Sequence, residues 1–306
     1  MGALGYSLRL TPGAPLDWLS LSLICAFSLA SADAATKAWL QGFSARELSV
    51  VRFGITGVLM APLLLDLPPL GALPAEFWWW LTALVPLELL AMVLYMAAIR
   101  DHPLSRTLPY LAFTPVFVIG IAWLVLGEQV SARGLAGVML VVAGAWLLNG
   151  EHAGLRDCRT WVAPFRAIVH EPGARMMLAV AAIYALTSTL GKGAMRHMAP
   201  EHFGAFYFGV LGLAVILVFA VPNPRIFSKL ASRPLAVLAV GALTGLMAYT
   251  HFLAIQQVAV AYMIAVKRTS LLIGILYGVL VFKETDVARR LPAGGLMVAG
   301  VALILL

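Results

Sequence analysis

The sequence predicts an all-α membrane protein: ten transmembrane helices, folded as two inverted five-helix repeats around a central cavity. Three observations lead there. Of the 306 residues, 62% are hydrophobic and 11% charged, and the mean hydropathy is +0.94. A soluble domain cannot hide that much apolar surface. The apolar runs recur along the whole chain, each close to the ~20 residues that cross hydrocarbon as a helix. Finally, the chain repeats itself. From Leu124 to Leu148 an offset of 156 aligns Leu124, Val125, Glu128, Ala132, Arg133, Leu135, Leu140, Val142, Ala143, Gly144 and Leu147 with identical residues, 11 identities in 25 columns. A two-fold repeat in a membrane protein points to a site between the halves.

The expected spans cover residues 18–40, 47–65, 78–99, 104–126, 133–149, 175–196, 203–221, 234–256, 260–282 and 290–306. The first run continues into a full span, and its leading tail carries only Arg9, so no cleavable leader is expected. Trp78, Trp79 and Trp80 open the third span as an interfacial belt. Pro109 and Pro115 should bend the fourth and free carbonyls there. The glycines of spans five and ten suit close helix packing. The linker 151–174 carries Arg156, Arg159, Arg166, Trp161 and Phe165 and is expected to lie on the membrane surface. It separates a first unit, 1–150, from a second, 175–306.

Weaker matches extend the repeat. Offset 156 pairs Ala98-Ile99 with Ala254-Ile255; offset 155 pairs Lys37 with Lys192, Phe53 with Phe208, Gly54 with Gly209 and Gly57 with Gly212. Each half has five spans, an odd number, so the second enters the membrane in the opposite sense.

The net charge of +7 does not call for nucleic acid, because the basic residues sit in short loops between spans. One side holds 13 Lys/Arg, from Arg46, Arg100 and Arg106 through the linker to Lys283, Arg289 and Arg290. The other holds three, Arg9, Arg133 and Arg196. That count places both termini outside the cell. Cys25 and Cys158 give neither a disulfide framework nor metal spacing. Phosphate-binding Gly-Lys-Ser/Thr loops, nucleophile elbows and metal motifs are missing, so neither an enzyme nor a cofactor is expected.

Each half closes its fourth span on an acidic residue, Leu126-Gly127-Glu128 and Phe282-Lys283-Glu284. Each then runs through a Gly-containing fifth span, Val142-Ala143-Gly144 and Val298-Ala299-Gly300. With ten spans in two halves, the chain resembles the drug/metabolite transporter superfamily, and within it the EamA-type transporters. The resemblance implies a central substrate cavity lined mainly by spans 1, 3, 4, 6, 8 and 9. It leaves the solute open among amino acids, sugars, nucleotide sugars, phosphorylated compounds and drugs. It also implies cytoplasmic termini, against the charge count.

Charges inside spans mark the candidate site. Lys267-Arg268 lies in span nine between Ala265-Val266 and Leu271-Leu272-Ile273, with no acidic residue one turn away. An anion would satisfy both, Arg through its planar fork and Lys as a point charge. The pair resembles the Lys-Arg of plastid phosphate translocators, which add a lysine on span four; here the repeat mate of Lys267 is Leu111. Snorkelling to the headgroups is the structural alternative. Lys37 and Lys192 are repeat mates. Asp33 is one turn before Lys37, whereas Ser188 precedes Lys192, which makes Lys192 the freer cation. Glu88, mid-span in the third helix, is a candidate for proton coupling or for an ion pair with Lys192 or Arg268. Tyr95, Tyr110, Tyr249, His251 and Tyr262 lie on the implied cavity helices and offer rings and polar tips to an organic solute. Glu128 and Glu284 read as structural groups that bond backbone amides at helix starts.

These residues lead to a secondary transporter of a small organic anion, phosphorylated or carboxylate-bearing. Other classes remain open: a flippase of phosphate-headed lipids, a proton-coupled exporter of amino acids or drugs, and a non-transporting scaffold. The expected partners are solute and lipid, the unit a monomer, and the location a bacterial inner membrane.

Overall fold

Local chemistry starts each helix. In this computed structural model, residues 16–67, 69–102, 108–149, 171–281 and 291–306 are described, and they contain no strand. Helix α1 (Trp18–Trp39) begins where the Asp17 carboxylate accepts the Ser20 N–H at 2.7 Å. Helix α2 (Ala45–Leu64) opens with a reciprocal cap. Ser44 Oγ accepts from the Glu47 N–H while Glu47 Oε2 accepts from the Ser44 N–H. It then widens into a π-helical stretch, Val50–Ile55, which carries Arg52. Helix α3 runs Ala75–Asp101.

Helix α4 starts as 3-10 turns (Leu108–Phe113) and becomes α-helical over Thr114–Leu126. Pro115 stands in its first α-turn, where the missing N–H costs nothing, and Gly127 ends it at φ 70°. There follow α5 (Ala132–Asn149), α6 (Pro172–Ala194) and α7 (Pro200–Ala220), whose end is again π-helical. A short helix, Arg225–Ala231, precedes α8 (Pro234–Gln257). Helix α9 comes in two pieces, Val260–Lys267 and Ser270–Leu280, and α10 is Leu291–Leu305.

Among the described residues, seven helices are long and apolar enough to cross a membrane: α1, α2, α3, α6, α7, α8 and, over Val260–Gly278, α9. Three apolar helices are shorter, Tyr110–Leu126, Ala132–Leu147 and Pro292–Leu305. The expectation of ten full spans is therefore met by seven on length. Outward faces are apolar, with Trp79, Leu124, Leu235 and Leu280 each at least 74% exposed (75%, 74%, 81% and 77%). Side chains so placed need hydrocarbon beside them. The linker residues Arg156, Cys158, Arg159, Trp161, Phe165 and Arg166 lie outside the described residues, as do Arg9, Arg106, Lys283, Glu284, Arg289 and Arg290.

The packing follows the repeat. Helix α1 packs on α8 and α9, and α6, its mate, packs on α3 and α4; α2 packs on α7, and α5 on α10. At two crossings the glycines touch in mirrored pairs. A Cβ on Gly57 would lie 2.7 Å from the Phe208 carbonyl oxygen, and one on Gly212 would lie 2.9 Å from that of Phe53. A Cβ on Gly137 would meet the Gly300 carbonyl oxygen at 2.7 Å, and one on Gly144 the Ala293 carbonyl oxygen at 2.7 Å. In both crossings residue numbers rise on one helix as they fall on the other. Repeat-mate helices thus meet antiparallel, backbone to backbone, as small residues allow.

Candidate functional site

A cavity of about 110 Å³ lies where the halves meet. Its walls come from α1 to α4 and α6 to α9, with nothing from α5 or α10. The lining obeys the repeat register. Arg52 and Tyr207 both face it, as do Phe53 and Phe208, Glu88 and Thr244, Tyr95 and His251, Met96 and Phe252, and Leu111 and Lys267. The cavity therefore straddles the two-fold relation between the halves. In every pair with a charge, the mate is neutral.

The break in α9 positions the two cations. Arg268 and Thr269 separate its helical pieces, with the Leu271 N–H bonded to the Arg268 carbonyl at 3.0 Å and the Leu272 N–H to that of Thr269 at 2.9 Å. Irregular backbone at membrane depth is tolerated only inside protein or beside a cavity. The repeat mates of Thr269 and Ser270 are Phe113 and Thr114, where α4 changes from 3-10 to α. The two breaks meet: Arg268 donates from Nη2 to Thr114 Oγ1 at 2.8 Å. Arg268 is 5% exposed, and its buried Nε–H has no hydrogen-bond partner among the described residues. Lys267 Nζ lies 3.4 Å from Met247 Sδ, a weak acceptor. Neither cation has an ion-pair partner among the described residues. Snorkelling is not what the geometry shows, since both side chains turn into the cavity.

A third cation faces the same space. Arg52 is 3% exposed and donates to Asp33 Oδ1 at 2.5 Å and to Thr36 Oγ1 at 3.2 Å. The Tyr95 hydroxyl donates to Asp33 Oδ2 at 3.0 Å. The π-helical widening of α2 carries Arg52, a backbone irregularity common at functional sites. Glu88 also lines the cavity and forms no ion pair among the described residues, so the pairing expected with Lys192 or Arg268 is not present. Among the described residues, the lining holds three formal cations, Arg52, Lys267 and Arg268, against one carboxylate, Glu88. Adding Asp33 leaves the balance positive.

Five expected binding residues stand outside the cavity. Lys192 is the chief departure. Its Nζ binds Glu128 Oε1 at 2.6 Å and donates to the Val258 carbonyl at 2.6 Å, so it is not the freer cation. The partner that sequence spacing could not supply on α6 comes from the end of α4. Glu128 Oε2 accepts the Val260 N–H at 2.9 Å, so it does cap a helix start, though that of α9 in the other half. Tyr262 bonds Ser131, its hydroxyl 3.0 Å from the amide nitrogen and 3.2 Å from Oγ. Tyr110 packs edge-on against Trp146 with ring centroids 5.5 Å apart. Tyr249 packs against the core, and Lys37 is exposed. Lys267, Arg268, Tyr95, His251 and Glu88 do line the cavity, and Asp33 reaches its edge through Arg52.

The family model for the EamA-like transporter family matches residues 16–150 and 171–306. The chain belongs to that family. It is thus an integral, multi-pass membrane transporter of the drug/metabolite transporter superfamily, built from two copies of the EamA unit. No curated protein matches it. A solved crystal structure, described only as that of a protein, shares the fold over 94% of this chain and 94% of its own, with a TM-score of 0.69 and 18% identity.

Within this EamA-like transporter, sequence reasoning missed Arg52, Tyr184, Thr187, Ser188 and Tyr207 among the lining residues. Arg52 carried the same signal as Lys267-Arg268, a charge inside a span. Tyr207 and Ser188 follow from offset 155, as the mates of Arg52 and Asp33.

Proposed function

We propose that this EamA-like transporter moves a small organic anion, phosphorylated or carboxylate-bearing, by alternating access. The observation that carries this reading is Arg268: buried, unpaired by any carboxylate among the described residues, and left with an unpartnered Nε–H in a cavity of net positive lining. A buried guanidinium in that state is costly, and an anionic group would relieve it through the Arg fork and the Lys267 charge. Ten spans in two inverted halves would rock about the bound solute and expose it to each side in turn. Glu88 would couple the cycle to protons. The transporter would work as a monomer in a bacterial inner membrane, without a cofactor.

One observation favours a second reading. Glu88, which forms no ion pair among the described residues, stands in the same cavity as Lys267 and Arg268 and can take a substrate ammonium while they take its carboxylate. An exported amino acid has that charge pattern.

A thermal-shift screen separates the readings. Purified protein is tested with phosphorylated metabolites, carboxylates, amino acids and lipid phosphates, and Arg268→Ala with the same panel. Stabilisation by anions that disappears in Arg268→Ala is expected. Stabilisation by amino acids alone, lost in Glu88→Gln, would move the assignment to the second reading. Stabilisation by neutral or cationic compounds that is unchanged in Arg268→Ala would overturn the anion assignment.

A further inference from the structure

Two guanidinium groups, not one, sit on this cavity with unmet hydrogen-bonding capacity. Arg268 enters from α9 and Arg52 from α2, on different halves of the molecule. Both are at least nine-tenths buried, at 5% and 3% exposure, and in both the buried Nε–H has no partner among the described residues. Arg52 spends Nη2 on Asp33 and Thr36. The repeat mates of Arg52 and Asp33 are Tyr207 and Ser188, both lining the cavity and both neutral. The charged pair is therefore an addition of one half to a wall that the other half builds with hydroxyls. If packing alone were needed there, the neutral version would serve.

We infer that Arg52 is a second anion anchor and that the transported solute is a dianion, held at one end by Lys267–Arg268 and at the other by Arg52. This rests on the anion reading of the same cavity. Asp33 is the resident counter-ion. Its side chain is 31% exposed against 3% for Arg52, so it is the member of the pair that solvent reaches. When the second anionic group arrives at Arg52, Asp33 keeps the Tyr95 hydroxyl as donor. A solute with one anionic group fills only the Lys267–Arg268 end and leaves the Arg52 Nε–H without an acceptor. A solute with two satisfies both forks, and charge-assisted bonds at the second end add affinity.

The test uses chain-length series of matched acids: malonate, succinate and glutarate as dianions, and propionate, butyrate and valerate as monoanions. Each is titrated against purified full-length protein by thermal shift. In the wild type at least one dicarboxylate should stabilise at a concentration on the order of tenfold below its matched monocarboxylate. Arg52→Gln should erase that preference and keep the response to monocarboxylates. Asp33→Asn supplies an independent arm, because it leaves Arg52 without its counter-ion and the dicarboxylate can replace it. The dicarboxylate should then act at a concentration several-fold lower, with monocarboxylates unchanged. Equal potency of the two series in the wild type would overturn the inference. So would a dicarboxylate preference that survives Arg52→Gln, or one that Asp33→Asn does not strengthen. Loss of the response to both series in Arg268→Ala is expected. If monocarboxylates still stabilise Arg268→Ala as they do the wild type, the anion reading itself falls. If only the Arg52 and Asp33 arms fail, that reading stands and the second anchor does not.

Discussion

Lys192 and Lys267 are both lysines inside apolar helices, and the structure gives them opposite circumstances. Lys192 reaches a carboxylate and a carbonyl, both at 2.6 Å; Lys267 reaches a thioether. The first is a finished structural contact. The Glu128 carboxylate and Lys192 are each about four-fifths buried, at 17% and 18% exposure, so removing one leaves the other poorly solvated. Lys192→Met should lower unfolding stability by about 1–2 kcal/mol. The thermal response to solute should stay, measured as the ligand-induced rise above the variant's own melting temperature. Loss of that response with the melting temperature unchanged would return Lys192 to the site. Tyr262→Phe should likewise cost about 1 kcal/mol of stability through its bond to Ser131, with solute affinity unaltered in the same titration. Lys192 and Tyr262 look like site residues in the sequence because residue type and span are visible there. Which neighbouring helix end supplies a partner is not.

At the scale of elements, the glycine crossings govern how closely the halves approach. Gly300 faces the Gly137 carbonyl oxygen, which a Cβ would meet at 2.6 Å. Both groups are backbone and cannot move aside, so Gly300→Leu must push α10 from α5 at a cost of about 3 kcal/mol. Gly120 on α4 has nothing within 4 Å of a would-be Cβ. Gly120→Ala should leave stability unchanged or raise it by about 0.5 kcal/mol through helix propensity. Comparing the two variants by thermal unfolding in one detergent tests whether contact, not glycine as such, is what α10 needs. The glycines of spans five and ten already pointed to close packing in the sequence. The break in α9 at Arg268-Thr269 did not, because no proline or glycine marks it there; only alignment with Pro115 and the 3-10 start of α4 makes it intelligible.

Across the whole molecule, the main packing partners lie in opposite halves: α1 with α8 and α9, α6 with α3 and α4, α2 with α7, and α5 with α10. Each half alone would expose the faces that the other covers, including the cavity walls with their charges. Residues 1–160 and 161–306 produced as separate chains should therefore be unstable singly and should co-purify when made together. Size-exclusion chromatography in detergent reads this directly. Two halves that are each monodisperse and folded alone would show that the unit of stability is the single repeat.

The sequence by itself determined the class of fold, the duplication and the cations of α9, since hydropathy, self-similarity and a charge in an apolar run are all properties of the string. It also carried the glycine seams, because mates such as Gly57 and Gly212 align at a fixed offset. The tertiary structure decided which of the span charges share a cavity. Lys267, Arg268, Glu88 and Arg52 meet there from three helices of two halves, while Lys192 is drawn off by Glu128. The physical reason is that a charge inside a membrane protein is defined by its counter-ion, and the counter-ions here are distant in sequence. Arg52 finds Asp33 on another helix, Lys192 finds Glu128 at another helix end, and Arg268, among the described residues, finds the hydroxyl of Thr114 across the two breaks and no carboxylate.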